Sequence, residues 1–207
     1  MTLELFEPEK QDNILAFDGV VQNYGLILNA EQSCRYLHYF LQHLAWQRDE
    51  VILHGQHYIT DRKVVWYGDE HYQYRYSGSL KHAHEWNPAL YRLKQQIEKI
   101  VGASFNSCLA NLYENGQQAV GWHSDDELSL ISKIGHETVI ASLSFGATRK
   151  MSFKHKFQPA KADMLLQSGQ LIVMRGQTQK YWKHCITKTA KVIEPRINLT
   201  FRYFFPA

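Results

Sequence analysis

The sequence predicts an α+β protein, a β-sandwich or jelly roll with N-terminal helices packed outside it. Two segments in the first half of the chain carry apolar residues at helical spacing between recognisable helix ends. From residue 105 onward, short segments rich in β-branched and aromatic residues are separated by turn residues. Helices that precede a block of strands, rather than alternating with them, favour an antiparallel sheet.

The first helix is predicted to begin at Asn29. Asparagine caps helix N-termini well, and Gln32, three residues later, completes a capping box. Apolar residues then recur at helical spacing: Leu37, Phe40, Leu41 and Leu44. This stripe gives the helix one face to bury against a sheet.

The second helix is predicted to begin at Asn87-Pro88, because proline is favoured in the first helical position after an N-cap. Its apolar face is formed by Leu90, Leu93 and Ile97. Gly102 is expected to end it, since glycine adopts the left-handed conformation common just after a helix.

The strands are predicted at six β-rich segments: 105–113, 138–145, 151–153, 164–166, 170–174 and 196–205. Asn115-Gly116 and Ser168-Gly169 are dipeptides typical of tight hairpin turns. We therefore expect the strands on either side of each dipeptide to pair with one another.

The composition indicates one globular domain over residues 1–207. A chain of 207 residues with 44% hydrophobic content can bury a sizeable core but is short for two domains. No repeat, low-complexity segment or Pro/Gly/Ser-rich linker divides it. The net charge of +3 permits a polyanionic partner without requiring one.

We expect a cytoplasmic monomer without a membrane anchor. The cysteines Cys34, Cys108 and Cys185 are odd in number and form no CxxC pair, which favours a reducing compartment over a disulfide framework or thiolate zinc site. The N-terminal segment lacks the basic start and apolar stretch of a signal peptide. No apolar run approaches the roughly 20 residues that cross a bilayer.

A metal site is indicated by His123 and Asp125. On an extended segment side chains repeat every two residues, so the two point the same way. His184 follows later, and two imidazoles with one carboxylate on one face of a metal are the ligands of non-heme iron(II) oxygenases. The alternative is that these are ordinary surface or core histidines, since the chain has eleven.

The C-terminal strand carries a polar face of unusual composition. The segment alternates between two faces: Arg196, Asn198, Thr200 and Arg202 on one, Ile197, Leu199 and Phe201 on the other. One interpretation is an amphipathic edge strand with its polar face in water. The apolar flanks favour a central strand instead, and buried arginines need anions. A dicarboxylate cosubstrate would supply them, because the guanidinium fork matches a carboxylate bidentately.

A third polar pair stands on a neighbouring predicted strand. Asn111 and Tyr113 share one strand face and offer an amide and a phenol at matching depth. A buried tyrosine on a strand is usually only packing. Beside the arginine-bearing strand, however, the pair is suited to complete a pocket for a small anion.

These residues resemble the AlkB family of oxidative dealkylases, and most of all its nucleic-acid-repair branch. The resemblance runs from about residue 50 to the end of the chain. The matching segments, in order, are Trp66-Tyr67-Gly68-Asp69, Tyr74-Arg75-Tyr76-Ser77-Gly78, Asn111-Leu112-Tyr113, Trp122-His123-Ser124-Asp125-Asp126-Glu127, Ala141-Ser142-Leu143-Ser144-Phe145-Gly146-Ala147, His184 and Arg196-Ile197-Asn198-Leu199-Thr200-Phe201-Arg202. It implies a double-stranded β-helix fold.

The resemblance implies a role for each matching residue. His123, Asp125 and His184 would bind iron(II). Arg196, assisted by Tyr113, would pair with the distal carboxylate of 2-oxoglutarate, the cosubstrate used with O2. Lining the rest of that cosubstrate site would be Asn111, Asn198, Thr200 and Arg202. Contacts to the target base would come from Tyr76 and the His123 ring, from Asp126 and Glu127 at its polar edge, and from Trp66 and Tyr74 as lid residues, for which packing of a β-hairpin is an equal alternative.

The activity that the resemblance implies is oxidative demethylation of N-alkylated nucleobases of the 1-methyladenine and 3-methylcytosine type. The implied substrate is DNA, with RNA as a further candidate, and the implied products are formaldehyde, succinate and CO2. Two alternatives remain. One is the same chemistry on another substrate, such as RNA, protein or a small molecule; the other is a non-catalytic nucleic-acid-binding module.

Two further expectations concern contact with nucleic acid. Basic residues cluster around one predicted hairpin and are sufficient to follow a phosphate backbone, unless the hairpin is merely solvated. They are Arg149, Lys150, Lys154, His155, Lys156 and Lys161. In addition, the resemblance places Leu53-His54 at the position where relatives specialised for duplex DNA carry a bulky aromatic residue. That residue acts as a wedge, because it fills the gap left by the extruded base. A single-stranded substrate is therefore expected to be preferred.

Overall fold

The computed structural model describes residues 13–53, 56–76, 79–126 and 137–205. The helices are α1 (Ala30–His43), α2 (Pro88–Val101) and the short α3 (Thr178–Tyr181). The first seven strands are β1 (Val20–Leu26), β2 (Gln47–Leu53), β3 (Gln56–Gly68), β4 (Gln73–Tyr76), β5 (Ser79–His82), β6 (His84–Glu85) and β7 (Ser107–Tyr113). The remaining strands are β8 (Val120–His123), β9 (Val139–Gly146), β10 (Arg149–His155), β11 (Lys161–Leu166), β12 (Gln170–Arg175), β13 (Trp182–Ile186) and β14 (Arg196–Arg202).

A large sheet forms the base of the molecule, with strand order β1-β12-β9-β14-β7-β3-β2. Its neighbours in this order pair antiparallel, and the short β6 adds to β3 in parallel. One face of this sheet is covered by α1 and α2. The buried apolar side chains of both helices, such as Phe40 and Leu93, belong to one core cluster with the apolar face of β14, which includes Phe201. The helices therefore lie outside the sheet, as the sequence predicts.

A smaller sheet, ordered β11-β10-β13-β8, covers part of the opposite face. A second apolar cluster, which includes Ile140, Phe153, Ile172 and Trp182, contains side chains from both sheets and joins them. The polar face of β14 also points to this side. In this two-layered jelly roll, the polar side chains of β14 therefore lie between the two sheets.

Both predicted helix starts are confirmed in atomic detail. The Asn29 side chain accepts a hydrogen bond from the Gln32 backbone N–H, and the Gln32 side chain accepts one from the Asn29 N–H. Asn87 caps α2, with Pro88 as its first residue, and Gly102 follows in the left-handed conformation at φ 69°. Local capping chemistry therefore fixed these ends.

The strands in the first half of the chain were not predicted. β1 precedes α1, and β2 to β6 lie between the two long helices. The reason is visible in β3, a 13-residue strand whose sequence, QHYITDRKVVWYG, shows no regular alternation. Of its polar side chains, Arg62 lines the cavity, whereas Gln56 and Asp61 are exposed. Cross-strand pairing, which is not local, stabilises it.

The two predicted hairpin turns are wrong. Asn115-Gly116 joins β7 in the large sheet to β8 in the small one, and Ser168-Gly169 joins β11 to β12 across the same gap. Gly169 does adopt a positive φ of 82°, so the chain reverses there as expected. A turn signal specifies a reversal, but the sheet in which the next strand pairs is decided by burial.

The cysteines Cys34, Cys108 and Cys185 are free thiols. Among the described residues, no helix has both the length and the apolar character needed to cross a membrane.

Candidate metal and cosubstrate site

Two histidines meet across adjacent strands of the smaller sheet. His123 ends β8, and His184 stands directly opposite it on β13. Their ring centroids are 4.3 Å apart. Because residues opposite one another in an antiparallel pair share a face, both imidazoles point into the space between the sheets.

Asp125 completes the cluster just beyond the end of β8. Ligand atoms of His123, Asp125 and His184 all lie within 4.8 Å of one another, a spacing that suits a single ion. Nδ1 of His123 is 2.8 Å from the Gly121 carbonyl oxygen and therefore donates to it. The lone pair then resides on Nε2, which faces Asp125 at 3.7 Å.

The loop that carries Asp125 is held in place on both sides. The Ser124 hydroxyl donates to the Trp182 carbonyl on β13 at 2.9 Å. The Asp125 backbone N–H donates to the side-chain oxygen of Gln179 at 2.9 Å. Arg202 of β14 lies 3.1 Å from the Asp125 carboxylate. The residues that make these contacts are not metal ligands themselves. They orient the Asp125 carboxylate, as supporting residues do at metal sites.

The charge state of the cluster suits a divalent cation. Burial, together with the nearby His123 and Arg202, lowers the pKa of His184 to about 3, so its imidazole is neutral. Burial works against ionisation of Asp125, but Arg202 and the two histidines outweigh it and hold the pKa of the carboxyl below its usual value. Two imidazoles and one carboxylate fit iron(II).

Arg196, at the start of β14, presents an anion-binding group next to this cluster. It is 1% exposed. Its Nη2 donates to the Ser144 hydroxyl at 3.0 Å, while its Nε and Nη1 have no hydrogen-bond partner. Burial lowers the pKa of the guanidinium to about 10, which leaves it charged near neutrality. A buried, charged fork with two free donors fits a ligand carboxylate.

Tyr113 lies beside this guanidinium. It pairs with Arg196 in the sheet register, and its ring centroid is 5.4 Å from the Arg196 guanidinium carbon. Arg149 approaches the same ring to 5.7 Å. Burial lowers the pKa of both guanidinium groups, and Tyr113 beside them opposes that shift.

The polar wall predicted for the cosubstrate is assembled on three strands. Asn111 of β7 stands opposite Asn198 of β14, which in turn stands opposite Ser144 of β9. The Asn198 amide donates to the Ser142 hydroxyl at 2.7 Å and its oxygen accepts from Thr200 at 3.1 Å. Asn198, Ser142 and Thr200 therefore satisfy one another, whereas Arg196 keeps two donors without a hydrogen-bond partner.

One cavity of about 740 Å³ contains all of these groups. Its lining includes both predicted sets of residues: His123, Asp125, His184, Asn111, Tyr113, Arg196, Asn198, Thr200 and Arg202. The structure therefore brings the metal cluster and the anion pocket into a single space, of a size typical for small-molecule sites.

The residues predicted to contact a base are not gathered in one place: some line the cavity and others do not. Trp66 lines the cavity and packs edge-on against Phe204, with ring centroids 5.0 Å apart. Tyr74 and Tyr76 belong to β4, which forms a two-stranded hairpin with β5. Asp126 is half exposed, lies 3.1 Å from Lys156, and is not among the cavity-lining residues. Glu127 lies outside the described residues, as do His54 and Gly55 of the predicted wedge segment.

The predicted basic hairpin requires three corrections. Arg149 is 2% exposed and donates to the carbonyls of Asn115, Gly116, Gln118 and Thr187, so it is a structural strut. His155 is buried, and its Nδ1 accepts from two backbone N–H groups. Lys156 is paired with Asp126. Only Lys150, Lys154 and Lys161 stay on the outer surface of the hairpin.

Several residues of the site were missed by sequence reasoning. Ser142 and Ser144 alternate with apolar residues on β9, a period-two signal that was available in the sequence. Arg62, Asp49 and Gln179 had no such signal. Asp49 lines the cavity because β2 is irregular between Arg48 and Glu50, and a bulge of this kind redirects a side chain.

Comparisons with known proteins agree with this geometry. Residues 23–202 match the family model described as the 2OG-Fe(II) oxygenase superfamily. The chain is 40% identical over 185 residues to alpha-ketoglutarate-dependent dioxygenase alkB homolog 3 from Bos taurus, covering 85% of this chain and 60% of that protein. It is 31% identical over 203 residues to DNA oxidative demethylase ALKBH2 from Mus musculus, covering 93% and 83%. The chain thus spans about 60% of the length of the alkB homolog 3 protein that it matches.

Solved structures show the same fold. The structure of OsALKBH1 superposes with a TM-score of 0.58 at 15% identity, covering 94% of this chain and 99% of that one. An oxidoreductase of the 2OG-Fe(II) oxygenase family from Burkholderia pseudomallei superposes with a TM-score of 0.57 at 12% identity, covering 90% and 85%.

Proposed function

Because the chain belongs to the 2OG-Fe(II) oxygenase superfamily and, within it, to the AlkB family, we propose that it removes N-alkyl groups from nucleobases. One observation carries the proposal: a His-Asp-His cluster and a buried arginine with free donors share one cavity. The relatives named as DNA oxidative demethylases supply the substrate class. The family uses iron(II), 2-oxoglutarate and O2.

His123, Asp125 and His184 would hold the iron. When bound, iron(II) with O2 and 2-oxoglutarate supplies the oxidation of the N-alkyl group, which gives formaldehyde, succinate and CO2. Arg202 keeps Asp125 ionised and correctly turned, and the Gly121 carbonyl fixes the tautomer of His123. Asp125 is thus already ionised and His184 already neutral, so metal binding releases no proton from His184.

Arg196 would bind the far carboxylate of 2-oxoglutarate. Its Nε and Nη1 have no hydrogen-bond partner, and the second N–H of Nη2 can join either of them to form the two parallel donors that a carboxylate accepts. Ser144 and the ring of Tyr113 hold the guanidinium in place before the cosubstrate arrives. A positioned cation of this kind reduces the ordering cost of binding and directs the other end of the dicarboxylate toward the metal cluster.

The target base would enter the same cavity between the metal cluster and the β4–β5 hairpin. Tyr76 and Tyr74 of β4 are proposed as base contacts on the hairpin side, with Trp66 as part of the cavity wall. A base within a duplex cannot reach such a site without leaving the stack. The ion pair between Asp126 and Lys156 argues against a contact from Asp126 to the base.

The proposed function is tested by mass spectrometry of methylated oligonucleotides. Strands that contain 1-methyladenine or 3-methylcytosine are incubated with the protein, with iron(II) and 2-oxoglutarate supplied together or withheld singly. We expect loss of one methyl group per lesion, with equal amounts of succinate and formaldehyde, only when both are present. Succinate formation without demethylation of any strand would show that the substrate is of another class. Absence of both would contradict the activity altogether.

A further inference from the structure

The outer face of the smaller sheet carries a row of three lysines. Lys161 of β11 stands directly opposite Lys154 of β10, which stands directly opposite Lys183 of β13. Lys161 is exposed and the other two are half buried. With strands about 4.8 Å apart, the row spans roughly 10 Å across the sheet.

This arrangement is unfavourable for the folded protein alone. Like charges directly opposite one another on a sheet face repel, and the row contains two such pairs in succession. None of the three lysines forms an ion pair within the described part of the chain. The adjacent Lys150 and Asp163 neutralise each other at 3.2 Å. The row is therefore a concentration of positive charge that no ion pair among the described residues neutralises.

Trp122 connects the row to the cavity. It is 39% exposed, on the edge strand β8, one residue before His123. The Nζ of Lys154 lies 4.5 Å from its ring centroid. Trp122 also lines the cavity that contains His123 and His184. An exposed indole with a cation on its ring thus stands where the charged face meets the mouth of the site.

We propose that this row, with Trp122, binds the sugar-phosphate backbone of single-stranded nucleic acid leading away from the target base. The inference rests on the proposed function and extends it to a defined binding track. Lysines in a row beside an exposed aromatic ring are features by which proteins hold single strands, since phosphates contact the cations and an unstacked base stacks on the ring. An acidic protein segment would match the charge but not the ring.

The test is a salt titration of oligonucleotide binding. Fluorescence anisotropy measures the affinity of an unmethylated, labelled single strand between about 50 and 200 mM salt. The triple variant Lys154→Gln, Lys161→Gln, Lys183→Gln is compared with Arg35→Gln, Arg92→Gln, Lys99→Gln. The second set removes equal charge from α1 and α2, on the far side of the large sheet. Iron and 2-oxoglutarate are omitted, so the result is independent of demethylation.

We expect the row variant to bind more weakly and to lower the slope of log affinity against log salt by about 2, since each single-strand phosphate contact contributes about 0.7. The control variant should keep the wild-type slope. Trp122→Ala should reduce affinity about 5- to 150-fold with an unchanged slope, because it removes stacking but no charge.

Three results would overturn the inference. One is an equal slope in the row and control variants. Another is that the wild-type protein binds no single strand even at low salt. In that case the demethylation assay still tests the proposed function separately. The last is an acidic peptide of equal charge that competes as well as the oligonucleotide, which would assign the row to a protein partner.

Discussion

Asp125 is a buried carboxylate that faces two histidines and an arginine. Burial alone would favour its neutral form, yet the nearby Arg202 keeps it charged at 5% exposure. Arg202 in turn comes from β14, the strand that also carries Arg196. One strand therefore supplies both the cation that supports the metal cluster and the cation that would bind the cosubstrate.

The metal cluster makes a direct prediction for single substitutions. His123→Ala, Asp125→Ala and His184→Ala should each weaken iron(II) binding by more than about 100-fold, beyond the 10- to 100-fold typical of losing only a supporting residue. Anaerobic titration with iron(II) measures this, and demethylation should be lost in parallel. His71→Ala, an exposed histidine outside the site, serves as the control. A variant that keeps wild-type iron affinity would remove its residue from the site.

Arg196 gives a second prediction, for the cosubstrate. Arg196→Ala should raise the 2-oxoglutarate requirement about 30- to several-thousand-fold, because truncating one partner of a buried charge pair costs roughly 2–5 kcal/mol. Arg196→Lys should restore only part of this, since an ammonium cannot form the two-pronged contact. Succinate formation at varied 2-oxoglutarate gives the KM. An unchanged KM in Arg196→Ala would transfer the role to another cation, such as Arg202.

At the scale of elements, Arg149 holds the small sheet to the loops beside it. Its guanidinium, at the start of β10, reaches four carbonyl oxygens that belong to the β7–β8 connection and the residue after β13. Gly116 packs in the same place, where an added Cβ would lie 2.2 Å from the Thr189 oxygen. The connection that the sequence presented as a hairpin turn is therefore a packed crossing between sheets.

These four hydrogen bonds predict that Arg149 contributes to the free energy of unfolding. Arg149→Met keeps most of the side-chain volume but leaves several buried carbonyls without a donor, and each such group costs about 1–3 kcal/mol. We expect a loss of unfolding free energy on the order of 3 kcal/mol, measured by urea denaturation. Lys150→Met, the exposed neighbour on the same strand, should change it by less than about 1 kcal/mol. Equal effects from both variants would contradict the strut.

Asp49 connects two other elements at the mouth of the cavity. From β2 it lies 2.8 Å from Arg62 of β3 and 2.9 Å from Lys81 of β5. Because β5 pairs with β4, the contact ties the hairpin that bears Tyr76 to the large sheet. Asp49 would thus position the hairpin rather than contact the base.

The prediction for Asp49 is a change in substrate binding through the hairpin. Asp49→Asn and Lys81→Met should each raise the KM for a methylated oligonucleotide about tenfold, as expected for losing a hydrogen bond between charged groups. The double variant should be little worse than either single one, because both remove the same contact. Fully additive effects would show that Asp49 and Lys81 act separately.

At the scale of the whole molecule, two sheets enclose the reaction space and leave one side of it bordered by hairpins. The β2–β3 hairpin closes with Leu53 paired to Gln56, and Asp49 and Arg62 of the same strands line the cavity. Leu53 of the predicted wedge segment is therefore the last described residue of β2, in a hairpin whose strands also line the site, and His54 lies outside the described residues.

The expected consequence is a preference for single strands. Unstacking costs a few kcal/mol per step, and a histidine offsets less of it than a larger apolar ring would. Wild-type protein should therefore demethylate a single strand faster than the same strand in a duplex, and His54→Phe should narrow the gap by improving the duplex reaction. Initial rates on matched substrates measure this. Faster repair of the duplex by the wild type would reverse the interpretation.

Features that depend on neighbours in the chain could be predicted from the sequence alone. The caps at Asn29 and Asn87 are local hydrogen bonds, and the alternation of β14 directly gives the two faces of one strand. His123 and Asp125, two residues apart, lie together for the same reason. The long irregular strand β3 and the strands around it lacked such a local pattern.

Features that depend on pairing between distant segments could be seen only in the folded protein. It placed His184 opposite His123, turned Arg149 inward as a strut, paired Asp126 with Lys156, and aligned Lys161, Lys154 and Lys183 across three strands. Strand register, bulges and the choice of sheet are set by burial of the whole core, because a shift by one residue exchanges the two faces of a strand. Short-range patterns therefore fix which side chains share a face, and long-range packing fixes what that face meets.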